Sequence, residues 1–100
     1  MNDRAMPQKI DAEQAVLGSM FLSEKALERI VERLNKDMFY LDSHKKIFET
    51  IKNLADKKVP IDITTVTAEL ERKKLLNQVG GVEYLTQIIN IVPTAANADE

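Results

Sequence analysis

Apolar residues recur three and four positions apart in five successive segments of this chain, which is the spacing of one face of an α-helix. The clearest stripe lies between residues 27 and 34, opposite a face of glutamate, lysine and arginine. The uninterrupted apolar runs are only a few residues long, far short of the ~20 that a membrane span requires. The spacing therefore predicts an all-α fold, a compact orthogonal bundle of about five to six helices.

Composition narrows the class of protein further. At 100 residues, with 44% apolar and 30% charged side chains, the chain is typical of one small folded domain. The absence of cysteine excludes disulfides and thiolate zinc sites, and a single histidine excludes a multi-histidine metal site. The N-terminus has no apolar segment of a signal peptide, so we expect a cytoplasmic protein without a membrane partner.

Polar residues before several stripes predict where the helices begin. The predicted N-caps are Asp11 (in a capping box with Gln14), Ser23, either Asp42 or Ser43, and Asp62. The turn Gly80-Gly81 precedes a fifth helix, predicted to span 82–92 and to end at Pro93.

The same signals predict the domain organisation. Residues 1–8 are expected to be a flexible tail and residues 9–93 a helical domain. Residues 94–100, with Thr94 as a new N-cap, are predicted to start a further helix. Because that helix has only one turn, we expect the chain to have been cut from a longer protein.

The stripes also predict the core. Residues 38–41 are too short for a helix and too apolar for an exposed loop, so they are interpreted as a plug between the second and third helices. The predicted core residues are Val16, Leu17, Phe21, Leu27, Ile30, Val31, Leu34, Phe39, Ile47, Phe48, Ile51, Leu54, Val66, Leu70, Leu85 and Ile89.

No motif for catalysis or nucleotide binding emerges. Asp42, Ser43 and His44 are the residue types of a hydrolase triad, but adjacent residues cannot hydrogen-bond in series as that mechanism requires. His44 is therefore expected to be partly buried, with one ring nitrogen satisfied. No glycine-rich phosphate loop occurs, so we expect this chain to bind no cofactor and to have no enzymatic activity. The basic cluster at 72–74 has glutamate neighbours, which favours a balanced surface over a nucleic-acid site.

The predicted fifth helix carries more apolar residues than one core face needs. Val82, Tyr84 and Ile91 fall partly outside the stripe that contains Leu85. Either a partner covers them, or the truncated helix that follows packs there.

Several short motifs, in this order and at this spacing, resemble the DnaB family of bacterial replicative DNA helicases, in its N-terminal domain. The resemblance extends from residue 7 to residue 98. The motifs are Asp11 to Gly18, Phe39-Tyr40 with His44, Ile47-Phe48, Pro60-Ile61-Asp62, Val66-Thr67, Gly80-Gly81, Tyr84-Leu85 and Val92 to Asn97.

The resemblance implies a helical domain that forms the collar of a hexameric ring and docks the C-terminal domain of primase. In the family, a helical hairpin, a linker and a RecA-like motor domain follow. That motor binds ATP and Mg²⁺, unwinds duplex DNA and makes most of the DNA contacts. Helicase activity is therefore expected of a parent protein and not of this chain.

Four residues are candidates for partner binding. Tyr84 is expected at the margin of the core, with an apolar ring and a hydroxyl that reaches water or a partner. The Asp11 carboxylate is suited to meet a basic residue of primase, although helix capping alone also explains it, and capping is favoured. Val82 and Ile91 complete the set.

A DNA-binding module of the helix-turn-helix or winged-helix type is the alternative, with residues 62–76 containing the recognition helix. The net charge of −2 and the lack of a basic stripe disfavour it.

Overall fold

The computed structural model describes the backbone of residues 7–97 and the side chains of residues 9–91. The regular secondary structure of that part of the chain is all helical, without a β-strand, which confirms the predicted all-α fold class. The elements are α1 (Pro7–Leu22), α2 (Glu24–Arg33), a 3-10 helix (Lys36–Met38), α3 (Asp42–Asp56), α4 (Ile63–Arg72), a second 3-10 helix (Asn77–Val79) and α5 (Gly81–Asn97). Within these bounds, no helix combines the length and the apolarity needed to cross a bilayer.

Two predicted N-caps are confirmed. The Ser23 side chain accepts a hydrogen bond from the Ala26 backbone N–H at 3.1 Å. Asp62 and Thr65 form a reciprocal capping box, in which each side chain accepts from the other residue's backbone N–H, at 2.8 and 3.1 Å. These bonds satisfy N–H groups that have no partner inside the helix, so α2 and α4 begin where the sequence indicates.

The predicted N-cap at Asp11 is wrong. Helix α1 begins at Pro7, so Asp11 lies inside it, and residues 7 and 8 of the predicted tail are helical. Proline suits the first helical position, because its φ is already helical and it has no N–H to leave unpaired. Residues 1–6 of the predicted tail lie outside the described residues.

The predicted cap of the third helix is also wrong. The N-cap residue is Leu41, which makes no side-chain capping bond, and Asp42 is the first helical residue. Its carboxylate instead pairs with Lys46 one turn further along, an interaction between side chains on the same helix face.

The fifth helix does not end at Pro93. Helix α5 continues to Asn97, so Thr94 does not begin a separate helix. A proline inside a helix removes one backbone hydrogen bond and so weakens the helix locally, without always ending it. The remainder of the predicted final helix, residues 98–100, lies outside the described residues.

The core lies between α1, α3 and α5, with α4 closing one side and α2 packed mainly on α1. All predicted core positions are buried or partly buried, although α5 buries Ile88 completely and the predicted Ile89 only partly. Met20 and Val79 are buried without having been predicted. The buried apolar residues are Leu17, Met20, Leu27, Phe39, Ile47, Phe48, Ile51, Leu54, Val66, Leu70, Val79, Leu85 and Ile88.

Of the predicted plug, residues 38–41, one side chain is fully buried and one, Leu41, is partly buried. Phe39 is buried against Phe48, with ring centroids 5.1 Å apart, whereas Met38 and Tyr40 are about half exposed.

Candidate functional site

Three helices meet at a chain of hydrogen bonds between four polar side chains, of which two are buried and two are partly exposed. Glu13 of α1 bonds His44 of α3, with 2.7 Å between Oε1 and Nδ1. The other ring nitrogen of His44, Nε2, lies 2.6 Å from the hydroxyl of Tyr84 on α5. Gln14 completes the chain by donating its amide N–H to the same hydroxyl at 3.0 Å. These four residues are called the polar network below.

One arrangement of protons satisfies every member of the polar network. Since the Tyr84 oxygen accepts from Gln14, its own proton is available to Nε2 of His44. Nε2 is then an acceptor, and the proton on Nδ1 is donated to the Glu13 carboxylate. The direction of donation therefore runs from Gln14 through Tyr84 and His44 to Glu13.

Glu13 also anchors the segment between α2 and α3. Its second oxygen accepts a hydrogen bond from the backbone N–H of Tyr40 at 2.6 Å. Burial alone raises the pKa of the Glu13 carboxyl. The hydrogen bonds from the Tyr40 N–H, His44 and the Leu41 N–H outweigh that effect and hold the pKa below its ordinary value. Glu13 is therefore a buried carboxylate whose charge is stabilised by hydrogen bonds from His44 and the Tyr40 N–H.

A glycine turn places Tyr84 in the polar network. Gly80 has a φ of +107°, and a Cβ at this position would lie 2.7 Å from the Tyr84 Cβ. The backbone passes directly over the tyrosine side chain, which only glycine permits.

The aromatic rings around His44 are packed in two ways. The His44 and Tyr84 rings are nearly parallel, with an angle of 9° between their planes, and the Phe39 ring meets the His44 ring edge-on, with centroids 6.5 Å apart.

The histidine and the glutamate of the polar network are inaccessible to substrates. His44 is completely buried, and Glu13 is 7% exposed. Both ring nitrogens are bonded, so the prediction of a partly buried His44 with one satisfied nitrogen is wrong. The arrangement fixes α1, α3 and α5 relative to one another. It offers no free nucleophile or base, and the described residues contain no group of side chains able to hold a metal ion.

The structure brings some of the predicted partner-binding residues together. Asp11 is exposed and lies three residues before Gln14, which bonds Tyr84, so Asp11 and Tyr84 belong to one α1–α5 surface. Tyr84 and Ile91 are both half-buried and lie two turns apart on one face of α5. Val82 is 42% exposed but lies about 200° around the helix from Tyr84. Contact of these residues with a partner stays a prediction.

The basic cluster at residues 72–74 is largely paired within the chain. Arg72 makes two hydrogen bonds to the Glu69 carboxylate, at 3.1 and 2.6 Å, and the Lys73 ammonium lies 3.9 Å from the same carboxylate. This surface is balanced in charge, as the glutamate neighbours indicate.

Sequence reasoning missed Glu13 and assigned Gln14 to a capping box. One signal was available: Glu13 lies four residues before Leu17 and seven before Met20, so it falls on the apolar face of α1. A carboxylate on such a face needs hydrogen-bond donors, and those come from residues 27 to 31 positions away in the sequence. No local pattern identifies partners at that separation.

Comparisons with known proteins agree with this architecture. The model of the DnaB-like helicase N-terminal domain family matches residues 5–100. The chain is 52% identical over 99 residues to the replicative DNA helicase DnaC of Bacillus subtilis, covering 99% of this chain and 22% of that protein. It is 46% identical over 98 residues to the replicative DNA helicase DnaB of Geobacillus stearothermophilus, again covering 22% of the relative.

A solved structure shows the same fold. The crystal structure of the N-terminal domain of DnaB helicase from Mycobacterium tuberculosis superposes with a TM-score of 0.82 at 45% sequence identity. The match covers 89% of this chain and 64% of that one. The chain spans about a fifth of the length of the curated relatives it matches.

Proposed function

The chain belongs to the family of DnaB-like helicase N-terminal domains, and from this membership we propose that it is the collar domain of a hexameric replicative helicase and docks the C-terminal domain of primase. Its expected location is the bacterial cytoplasm. The unwinding of DNA, and the ATP and Mg²⁺ that it requires, belong in this proposal to a motor domain elsewhere in the parent protein. This chain alone is expected to hydrolyse no ATP.

The observation that carries the proposal is the fixed position of Tyr84. Two hydrogen bonds, to His44 and Gln14, hold its hydroxyl, while the residue remains partly exposed on α5. An aromatic side chain that is already ordered loses little conformational entropy on binding, which favours its use as an interface anchor. Asp11, on the same α1–α5 surface, adds a carboxylate for a basic residue of primase.

The test is a titration of the chain with the primase C-terminal domain, followed by calorimetry, together with a melting curve for each variant. Tyr84→Phe removes the hydroxyl and keeps the ring, whereas Tyr84→Ala removes both. Tyr40→Ala is the matched control, because Tyr40 is 46% exposed and lies outside α1 and α5.

Because the hydroxyl holds the ring in place, we expect Tyr84→Phe to bind primase a few-fold more weakly than the original chain and Tyr84→Ala to bind about tenfold more weakly. Asp11→Asn is expected to have a smaller effect, which added salt reduces. Unchanged binding by Tyr84→Ala would remove this residue from the interface, and no binding by the original chain would refute the docking function.

The isolated chain is expected to be mostly monomeric, since in the family the subunit-pairing hairpin follows this domain. Light scattering after size exclusion measures this directly. A stable hexamer of the chain at micromolar concentration contradicts that expectation.

A further inference from the structure

A second surface lies at the opposite end of α1 from Asp11, about 16 Å further along the helix. Here the end of α1, one side of α2 and the α3–α4 connection enclose an open groove of about 640 Å³. Both polar and apolar side chains line this groove, called the α2 groove below, and the apolar ones include Phe21, Leu22, Leu27, Val31, Val59 and Ile61.

The α2 groove is an incompletely covered apolar face. Leu27 is the only residue of α2 that is buried, and Val31 on the same side is only partly covered. Leu22 is 49% exposed at the mouth of the groove. Helix α2 packs mainly on α1, so its side towards residues 59–61 is left without a neighbouring helix in the part of the chain that the structure describes. Partly exposed apolar side chains such as Leu22 and Val31 lose contact with water when another molecule covers them, which favours binding at this wall of the groove.

The rim of the α2 groove is acidic. Glu24, Glu28 and Asp56 border it, and Lys58 is the one cation among its lining residues. Asp56 has an ion pair with Lys52 at 3.6 Å, whereas the described residues provide no ion pair to Glu24 or Glu28. Two carboxylates therefore stand beside an apolar groove at the first turns of α2.

We propose that the α2 groove docks an amphipathic helix of a partner protein whose apolar side chains are flanked by lysine or arginine. An apolar groove of this kind accepts side chains at helical spacing, and the basic flanks meet Glu24 and Glu28. A second copy of this chain fits worse, because a symmetric contact through the groove brings the two acidic rims together. This surface is distinct from the α1–α5 surface assigned above to primase.

Two synthetic helices with the same apolar face test the proposal, one with lysine flanks and one with glutamate flanks. The ¹⁵N-labelled chain is titrated with each peptide, and the amide resonances that shift are mapped onto the structure. We expect the lysine peptide to shift resonances around residues 21–31 and 59–61, with an affinity that falls as salt is added. We expect the glutamate peptide to bind about tenfold more weakly or not at all.

Variants of exposed residues locate the contact without endangering the fold. Leu22→Ser is expected to weaken binding of the lysine peptide about tenfold, whereas the control Met38→Ser, at a residue 54% exposed elsewhere, leaves it unchanged. The double variant Glu24→Gln with Glu28→Gln is expected to remove most of the salt dependence. The control double variant Glu32→Gln with Glu71→Gln, at exposed glutamates outside the groove, is expected to keep it.

Four results would overturn the proposal. Equal binding of the two peptides would show that the acidic rim does not contribute to recognition. Resonance shifts confined to other surfaces would show that the groove is not the binding site. Self-association of the original chain that Leu22→Ser abolishes assigns the groove to a second copy. Binding that occurs only after residues 1–6 are deleted assigns it to the chain's own N-terminal segment.

Discussion

The side chains at the two ends of α1 are buried in different ways. Towards its N-terminus, Glu13 and Gln14 enter a polar network in which each side chain has a bonded partner on another helix or segment. Towards its C-terminus, Phe21 and Leu22 border the α2 groove, where apolar surface stays partly open. Hydrogen bonds are directional, so the polar network accepts one arrangement of three helices. Apolar contact is not directional, so the groove can accept a side chain from another molecule.

The largest expected effect comes from the core between these two ends. Phe48→Ala removes a completely buried ring that packs against Phe39, and we expect it to lower the free energy of unfolding by about 3–5 kcal/mol. Urea denaturation measures the loss, with Met38→Ala as the exposed control. A melting temperature equal to that of the original chain would contradict the placement of α3 in the core.

Glu13→Gln tests the N-terminal end of α1 independently of the C-terminal end, because it breaks hydrogen bonds of Glu13 and leaves the α2 groove unchanged. The amide cannot accept from both His44 and the Tyr40 backbone, so we expect a loss of about 1–3 kcal/mol at neutral pH. Peptide binding at the α2 groove should be retained. Glu32→Gln, at an exposed glutamate of α2, is the matched control.

The same variant gives a pH test of the Glu13 carboxylate. Its pKa is lowered in the folded state, so the stability that it contributes is fully present above the unfolded-state pKa. That contribution disappears as the pH falls through the folded-state pKa. Unfolding by urea at a series of acidic pH values should therefore show the original chain and Glu13→Gln converging. Parallel curves across the whole series would mean that Glu13 is not the carboxylate responsible.

Tyr84→Phe tests the other end of the polar network with a smaller change. Loss of the hydroxyl leaves Nε2 of His44 and the Gln14 amide without their bond, and we expect a loss of about 0.5–1.5 kcal/mol. Tyr40→Phe, at an exposed tyrosine, should change the unfolding free energy by less than about 0.5 kcal/mol. Equal effects of the two variants would place the Tyr84 hydroxyl in solvent.

The smallest effect on stability is expected in the α2 groove. Leu22→Ser replaces a half-exposed side chain, so the free energy of unfolding should change by no more than about 0.5 kcal/mol. A thermal melt checks this prediction. If the stability is retained, weaker peptide binding by the same variant reports on the α2 groove and not on the fold. A large loss of stability would show that Leu22 belongs to the core.

Local sequence signals predicted the elements whose ends depend on neighbouring residues. Ser23 and Asp62 cap α2 and α4 as expected, because a cap needs only an oxygen and an N–H two or three residues apart. Asp11 is an aspartate like Asp62, yet it caps no helix, because α1 begins earlier, at Pro7. Pro93 is a stop signal by local rules, but α5 continues through it. A cap or breaker residue shows where a helix can end, and competing residues nearby decide whether it does.

The sequence by itself determined the all-α fold class, most of the core and the resemblance to a helicase family, since each depends on residue order and spacing along the chain. Only the tertiary structure decided that Glu13 meets His44 and that His44 meets Tyr84, because these pairs are 31 and 40 residues apart. It also decided that the C-terminal end of α1 borders an open groove. A periodic pattern indicates which face of a helix is apolar, but which side chains meet that face depends on how the helices pack together.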